Sequence, residues 1–186
     1  EASLMATASA TLIGDLDAYD MDVHLAAAEG DAGCIQGPEA TIDTSFGAAE
    51  VASAMATMID YGATLAPYGV NEEKAYMVLE AALSNSSLGS GGCNEDWYRP
   101  SADLALIALS NEREQSVNPW AYYISYYQAL KDSPDDVTFH AIGGDYPGGC
   151  SGFSGSASAY EGAYEGTVAT GGAFYSVCDS DYDGHM

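Results

Sequence analysis

The residues best suited to chemistry in this sequence are carboxylates, and their sharpest spacing is near the C-terminal end. Asp179-Ser-Asp-Tyr-Asp-Gly184 sets Asp179, Asp181 and Asp183 on alternate positions ahead of a glycine, the D-x-D-x-D-G opening of a calcium loop. Alternate carboxylates suit a hard, oxygen-seeking ion, and the glycine permits the sharp turn. The chain reaches Met186 before the bidentate Glu that such loops use, so the run reads equally as an acidic linker. Asp15, Asp17, Asp20 and Asp22 form a second acidic cluster, read as a turn between a helix and a strand. Nucleophilic catalysis finds little support. Gly152-Phe-Ser-Gly155 does not meet G-x-S-x-G, and no strand precedes it. His24 and His140 lie in apolar runs, where a hydrogen-bonded core imidazole is the ordinary reading. No catalytic residue is assigned, and the chain is expected not to be an enzyme.

Cys34, Cys93, Cys150 and Cys178 lie far apart with no C-x-x-C spacing, and three scattered histidines do not complete a zinc set. An even cysteine count in an acidic, lysine-poor chain fits two disulfides in an oxidising compartment, with four reduced core thiols as the alternative. Lys and Arg number 4 against 28 Asp and Glu, a formal charge of −24. That surface repels nucleic acid and anionic membranes, so neither is an expected partner. Hydrophobic residues at 47% and aromatics at 11% exceed what a solvated acidic chain carries, so a packed core is expected. No stretch reads as a membrane span. The sequence opens on Glu1 with no basic n-region, which reads as a processed or excised piece of a longer protein.

The elements that must position these groups alternate. Leu4, Met5, Ala8, Leu12 and Leu16 recur at helical spacing. Residues 22–28 read as a short buried strand and 40–43 as a short edge strand. Val51, Met55, Met58 and Ile59 mark a helix over 46–60 that ends at Tyr61-Gly62, and Asn71 is a good N-cap for a helix over 72–83. Residues 85–92 read as a flexible loop. Residues 103–110 are the strongest strand, an uninterrupted apolar run. Pro119 starts a helix whose inner face is Trp120, Tyr123, Ile124, Tyr127 and Leu130. A second apolar strand follows at 137–142, then a glycine-rich loop at 148–155, a weak helix over 157–170 and a last strand at 173–177. Such alternation indicates a mostly parallel sheet covered by helices.

Asp103-Leu-Ala-Leu-Ile-Ala-Leu-Ser110, followed by Asn111-Glu-Arg-Glu-Gln-Ser116, resembles the strand and acidic S-D-E-D-D-Q-S loop of bacterial von Willebrand factor A-like domains. Those domains occur in secreted and surface proteins. Residues 97–102, 122–130, 140–144 and 170–178 are similar in order and spacing, as are 16–28, 32–34 and 46–62, so the likeness covers nearly the whole chain. It implies an α/β fold with a doubly wound, mostly parallel sheet and helices on both faces. This would be one domain over residues 1–178, with 179–186 as an acidic tail or linker. It also implies a metal-ion-dependent adhesion site, built from a DxSxS, a Thr and an Asp after the fourth strand, where Ca or Mg keeps one position free for a partner's carboxylate. Here Asn111 stands in place of that Asp and no DxSxS occurs. Asn111, Glu112 and Glu114 are then the candidate ligands at the mouth of the sheet, alongside Asp179, Asp181 and Asp183. Glu1 aligns just after the first, central strand. That strand is expected to be absent, leaving a gap between 22–28 and 103–110 that an upstream segment or a neighbouring subunit fills.

In such a sheet Cys150 follows the strand 137–142 and Cys178 ends the strand 173–177, the same ends of adjacent parallel strands, so these two are expected to pair. Cys34, after 22–28, is expected to pair with Cys93 in the loop entering 103–110. The function implied is a protein-binding or adhesion domain, secreted or at the cell surface. The alternative is a structural subunit of an extracellular filament, sheath or surface layer, in contact with copies of itself. Of fourteen tyrosines, four cluster at Tyr122-Tyr123 and Tyr126-Tyr127, and half of these must face away from the core, which fits a protein-contact surface, with an ordinary amphipathic helix carrying outward rings as the alternative.

Overall fold

The computed structural model describes residues 2–30, 32–35, 41–65, 74–152 and 155–179. In chain order they form α1 (Ala2–Ala18), β1 (His24–Leu25), β2 (Ala28–Glu29), β3 (Cys34–Ile35), β4 (Ile42–Asp43), α2 (Ala48–Leu65), α3 (Ala75–Ala82), α4 (Asn85–Leu88), β5 (Leu104–Leu109), α5 (Trp120–Gln128), β6 (Val137–Gly143), β7 (Cys150–Gly152), β8 (Gly155–Ala157), α6 (Ala163–Thr170) and β9 (Phe174–Ser176). The chain divides into two units, the first holding α1, α2, α4 and β1–β4, the second holding α3, α5, α6 and β5–β9.

In the first unit α1 packs along α2. Ala10 and Ile13 of α1 meet Ile42, Val51 and Met55 in a buried cluster, with Leu25, Ile35 and Phe46 packed on it. Alanine-rich α1 stops where Asp20 takes a left-handed conformation (φ 56°) and the Met21 N–H donates to Leu16 O (3.1 Å). The run 22–28, expected as one buried strand, is divided instead. β1 pairs antiparallel with β4 and β2 antiparallel with β3. Gly30 and Gly33, both at positive φ, turn the chain back on itself and use up the run in two short ladders. α2 runs through Gly62 to Leu65, beyond the expected stop.

Cys34 and Cys93 are bridged, with Cα atoms 5.6 Å apart. Beside the bridge Asn94 is buried, and its amide is fully used. Nδ2 donates to Gly33 O (2.9 Å) and Ala82 O (3.0 Å), and Oδ1 accepts from the Ile35 N–H (2.8 Å). The segment read as a flexible loop contains α4, because Ser84 caps its start by accepting from the Ser87 N–H (3.3 Å). Asn94→Ala strands one buried donor and two buried acceptors, and a loss of about 2–4 kcal/mol is expected by urea unfolding. Asn94→Asp should be no milder, since it turns two donated bonds into repulsion between a carboxylate and two carbonyls.

The second unit is a mixed α/β arrangement around a three-stranded parallel sheet of order β5-β6-β9. Leu104 pairs with Val137 through to Leu109 with Ile142, and Ala141 pairs with Phe174 through to Gly143 with Ser176. Pro119 sits at the N-cap of α5, where its missing N–H costs nothing. Just beyond α5, Lys131 Nζ donates to the carbonyls of Arg99 (3.0 Å) and Ala102 (2.6 Å) and lashes down the entry to β5. β9 is shorter than β6, and Thr170 Oγ1 at the end of α6 takes the Phe139 N–H (2.9 Å) that β9 does not reach. Cys150 and Cys178 are bridged, with Cα atoms 6.1 Å apart. The glycine-rich run expected as a loop carries β7 and β8, paired antiparallel. α6 starts only at Ala163, after Gly162 at φ 86°, where Glu165 reaches back to the Gly162 N–H (2.7 Å).

α3, α5 and α6 meet on one face of this sheet, over Leu104, Leu106, Ala108, Val137, Phe139 and Ala141, all buried. Tyr76 of α3 is the hub. Its ring stacks on Tyr123 (5.2 Å, 4°) and Phe139 (4.8 Å, 23°), and its hydroxyl donates to Gly162 O (3.0 Å). Tyr127 OH donates to Tyr76 O (2.7 Å). Gly166 lets α6 pass against the Tyr76 hydroxyl, where a β-carbon would collide. The sequence-based reading places helices on both faces; within this unit the three helices share one.

Candidate functional site

The open side of β5 and the loop that leaves it form the candidate site. The Ser110 N–H donates to Ile142 O (3.1 Å), so by the alternation of a parallel ladder Leu106 and Ala108 also bond toward β6. The N–H and C=O groups of Ala105, Ile107 and Leu109 point the other way, where no strand is paired among the described residues. Ala105 is exposed, and Ile107 and Leu109 are half-buried. The strand expected across a gap from β5, residues 22–28, contributes β1, which pairs with β4 and not with β5.

At the C-terminal end of β5, Ser110 Oγ turns the chain by accepting from the Glu112 N–H (3.0 Å). Asn111 and Glu112 are exposed. Asn111 O accepts from the Ser158 N–H (3.0 Å), and Glu112 Oε2 from the Ser158 hydroxyl (3.5 Å). Glu114 goes elsewhere. Its Oε1 accepts from the Ser116 N–H (2.9 Å), while Ser116 Oγ accepts from the Met77 N–H (3.1 Å), so this loop caps the first turn of α3. Glu114 Oε2 is buried without a hydrogen-bond partner. Residues 113–120 with Glu161 and Gly162 line an open cavity of about 560 Å³, with Trp120 on its wall.

Asn111 O and Glu112 Oε2 thus share Ser158 as their partner, while Glu114 is engaged at the start of α3. Among the described residues no three His, Cys, Asp or Glu side chains come together as a metal-binding group. Asp179 is exposed; Asp181 and Asp183 lie outside the described residues. Both in-strand histidines behave as hydrogen-bonded structural groups. His24 Nδ1 lies 3.3 Å from Trp97 O, and His140 Nδ1 accepts from the Ala173 N–H (3.1 Å) with burial lowering its pKa. Among the described residues no helix is long and apolar enough to cross a membrane.

Burial pushes the Glu114 carboxyl above the usual carboxylate range, against the pull of the Ser116 hydroxyl first and then of the Ser116, Tyr76 and Ala75 N–H groups. A raised folded-state pKa gives a stability contribution that is complete below the ordinary Glu range and is lost as pH rises through the raised value. Stability of the second unit is thus expected to fall as pH climbs above the ordinary Glu range. Glu114→Gln, which cannot ionise, should flatten that slope in urea midpoints measured across pH. An unchanged slope would rule out Glu114 as its source. The capping role of Glu114 and Ser116 was hidden in the sequence, because the helix they cap lies some forty residues upstream; only a polar pair just beyond a buried strand hinted at it. Comparison with protein-family models, with curated proteins and with solved structures finds no match.

Proposed function

We propose that this chain is a non-enzymatic protein-binding domain of a secreted or cell-surface protein, of the von Willebrand A type it resembles, and that its partner adds a strand to the open side of β5. The observation that carries this reading is that β5, an apolar strand, is paired on one side only among the described residues. An unpaired apolar edge is a template for an incoming strand, whose backbone supplies the missing hydrogen bonds at Ala105, Ile107 and Leu109. Two disulfides suit an oxidising exterior. A charge of −24 on each copy disfavours self-association, which ranks a foreign partner above the filament, sheath or surface-layer subunit. Strand addition at β5 uses backbone hydrogen bonds, and no step of it is routed through Ca or Mg.

Amide hydrogen exchange of the monomer, with its mass checked by light scattering, tests the proposal. The Ala105, Ile107 and Leu109 amides should exchange faster than those of Leu106 and Ala108, on the order of tenfold or more. Equal protection in the monomer would mean that the edge is already paired, and the reading fails. Protection that grows with the mass of an oligomer transfers the edge to the assembly reading.

A further inference from the structure

The four tyrosines of α5 are sorted by their spacing. Tyr123 and Tyr127 are buried, whereas Tyr122 is 47% exposed and Tyr126 only half-buried, so residues 122 and 126, one turn apart, make an outward pair. Each outward ring is braced edge-on by a buried neighbour, Tyr122 against Tyr123 (5.1 Å, 86°) and Tyr126 against Tyr127 (5.8 Å, 76°). Tyr123 in turn lies flat on Tyr76. On α3, Glu80 Oε1 accepts the Tyr122 hydroxyl proton (2.9 Å). Two rings and a carboxylate thus stand fixed at the surface before any ligand arrives, and little side-chain freedom remains to be lost on binding.

We infer that this outer face of α5, together with Glu80, is a docking site for an arginine-bearing segment of a basic partner protein. Aromatic rings attract a cation through their quadrupole, and a carboxylate beside them accepts the guanidinium N–H groups. A planar guanidinium stacks on the rings while bonding the carboxylate, which a compact, strongly hydrated ammonium does less well. The charge of the chain selects the occupant. At −24, with four Lys and Arg in 186 residues, a second copy is repelled and has few cations to offer, while a basic segment is drawn in. This site does not depend on strand addition at β5.

Titration of the full chain with short acetylated Gly-Arg and Gly-Lys repeat peptides, followed by calorimetry and by the ring signals of Tyr122 and Tyr126, tests it. At near-physiological salt, about 0.15 M, the arginine peptide should bind more tightly than the lysine peptide. The double variant Tyr122→Ala/Tyr126→Ala should weaken arginine-peptide binding about tenfold although the net charge is unchanged. Tyr122→Phe/Tyr126→Phe, which keeps both rings, should retain most of the affinity and guards against a folding artefact. Equal affinity in the alanine and wild-type proteins, or equal affinity for the two peptides, would mean diffuse charge attraction only and would overturn the proposal.

Discussion

Replacing Cys34 and Cys93 together by serine is expected to remove about 4 kcal/mol from the unit that contains them. The bridge spans a sequence separation of 59, and the chain entropy released by opening a loop of that length accounts for a loss of this size. A whole domain is stabilised by only about 5–15 kcal/mol, so the loss takes most of the margin. The effect should exceed the entropic figure if Asn94, next to Cys93, loses its grip on Gly33 and Ile35 as the bridge opens. The second bridge, with a separation of 28, gives about 3.5 kcal/mol by the same relation. Urea unfolding of the serine variants, followed by circular dichroism, reads both values. A loss below about 1 kcal/mol for the Cys34–Cys93 pair would show that the denatured chain is already held together there.

Tyr76→Ala is the substitution expected to damage the second unit most, by about 3–5 kcal/mol, the range for deleting a large buried ring. Its ring fills the space between α5 and β6, and its removal leaves Tyr123 and Phe139 without a stacking surface. Tyr76→Phe should cost only about 1 kcal/mol, the worth of the hydrogen bond to Gly162 O. Tyr122→Ala, on the same helix as Tyr123 but facing outward, should stay within about 1 kcal/mol. Equal losses for Tyr76→Ala and Tyr76→Phe would assign the hub to its hydroxyl and not to its ring. Burial also pushes the Tyr76 and Tyr127 hydroxyls far above the ordinary phenol range. Both favour the protonated form, so their contribution is complete below the ordinary range and would be lost only in strong alkali. The same contrast between Tyr76→Ala and Tyr76→Phe should persist across neutral pH.

The second unit was the more legible in the sequence, for a physical reason. Residues 103–110 and 137–142 are short continuous apolar runs bounded by polar or glycine residues, and β5 and β6 match them to within a residue or so, although β5 lies at the sheet edge with one face only partly covered. Pro119 and the four-residue rhythm of Tyr123 and Tyr127 marked α5 in the same way. Residues 22–28 carry a similar apolar run, but the Gly30 and Gly33 turns and the Cys34–Cys93 bridge divert it into short antiparallel ladders. Composition weighs the run and not the turn that redirects it. The cysteine partners in the structure are those the sheet argument paired. Asn111 and Glu112 both bond to Ser158, whereas Glu114 is drawn to the first turn of α3, which sequence proximity does not reveal.

The lashing of Lys131 onto the β5 entry also bears on how the native chain meets a protease. Serine proteases that cut after Lys or Arg have four positions to attack in the entire sequence. One, Arg99, is followed by Pro100, and another, Arg113, is flanked by Glu112 and Glu114. Lys131 keeps its ammonium against two backbone carbonyls, so an enzyme pocket must first pull it from them. Lys74 follows two glutamates, Glu72 and Glu73. A trypsin-like enzyme therefore finds few positions to cut, and scarcity of basic residues, besides setting the charge, shields the chain from this class of protease.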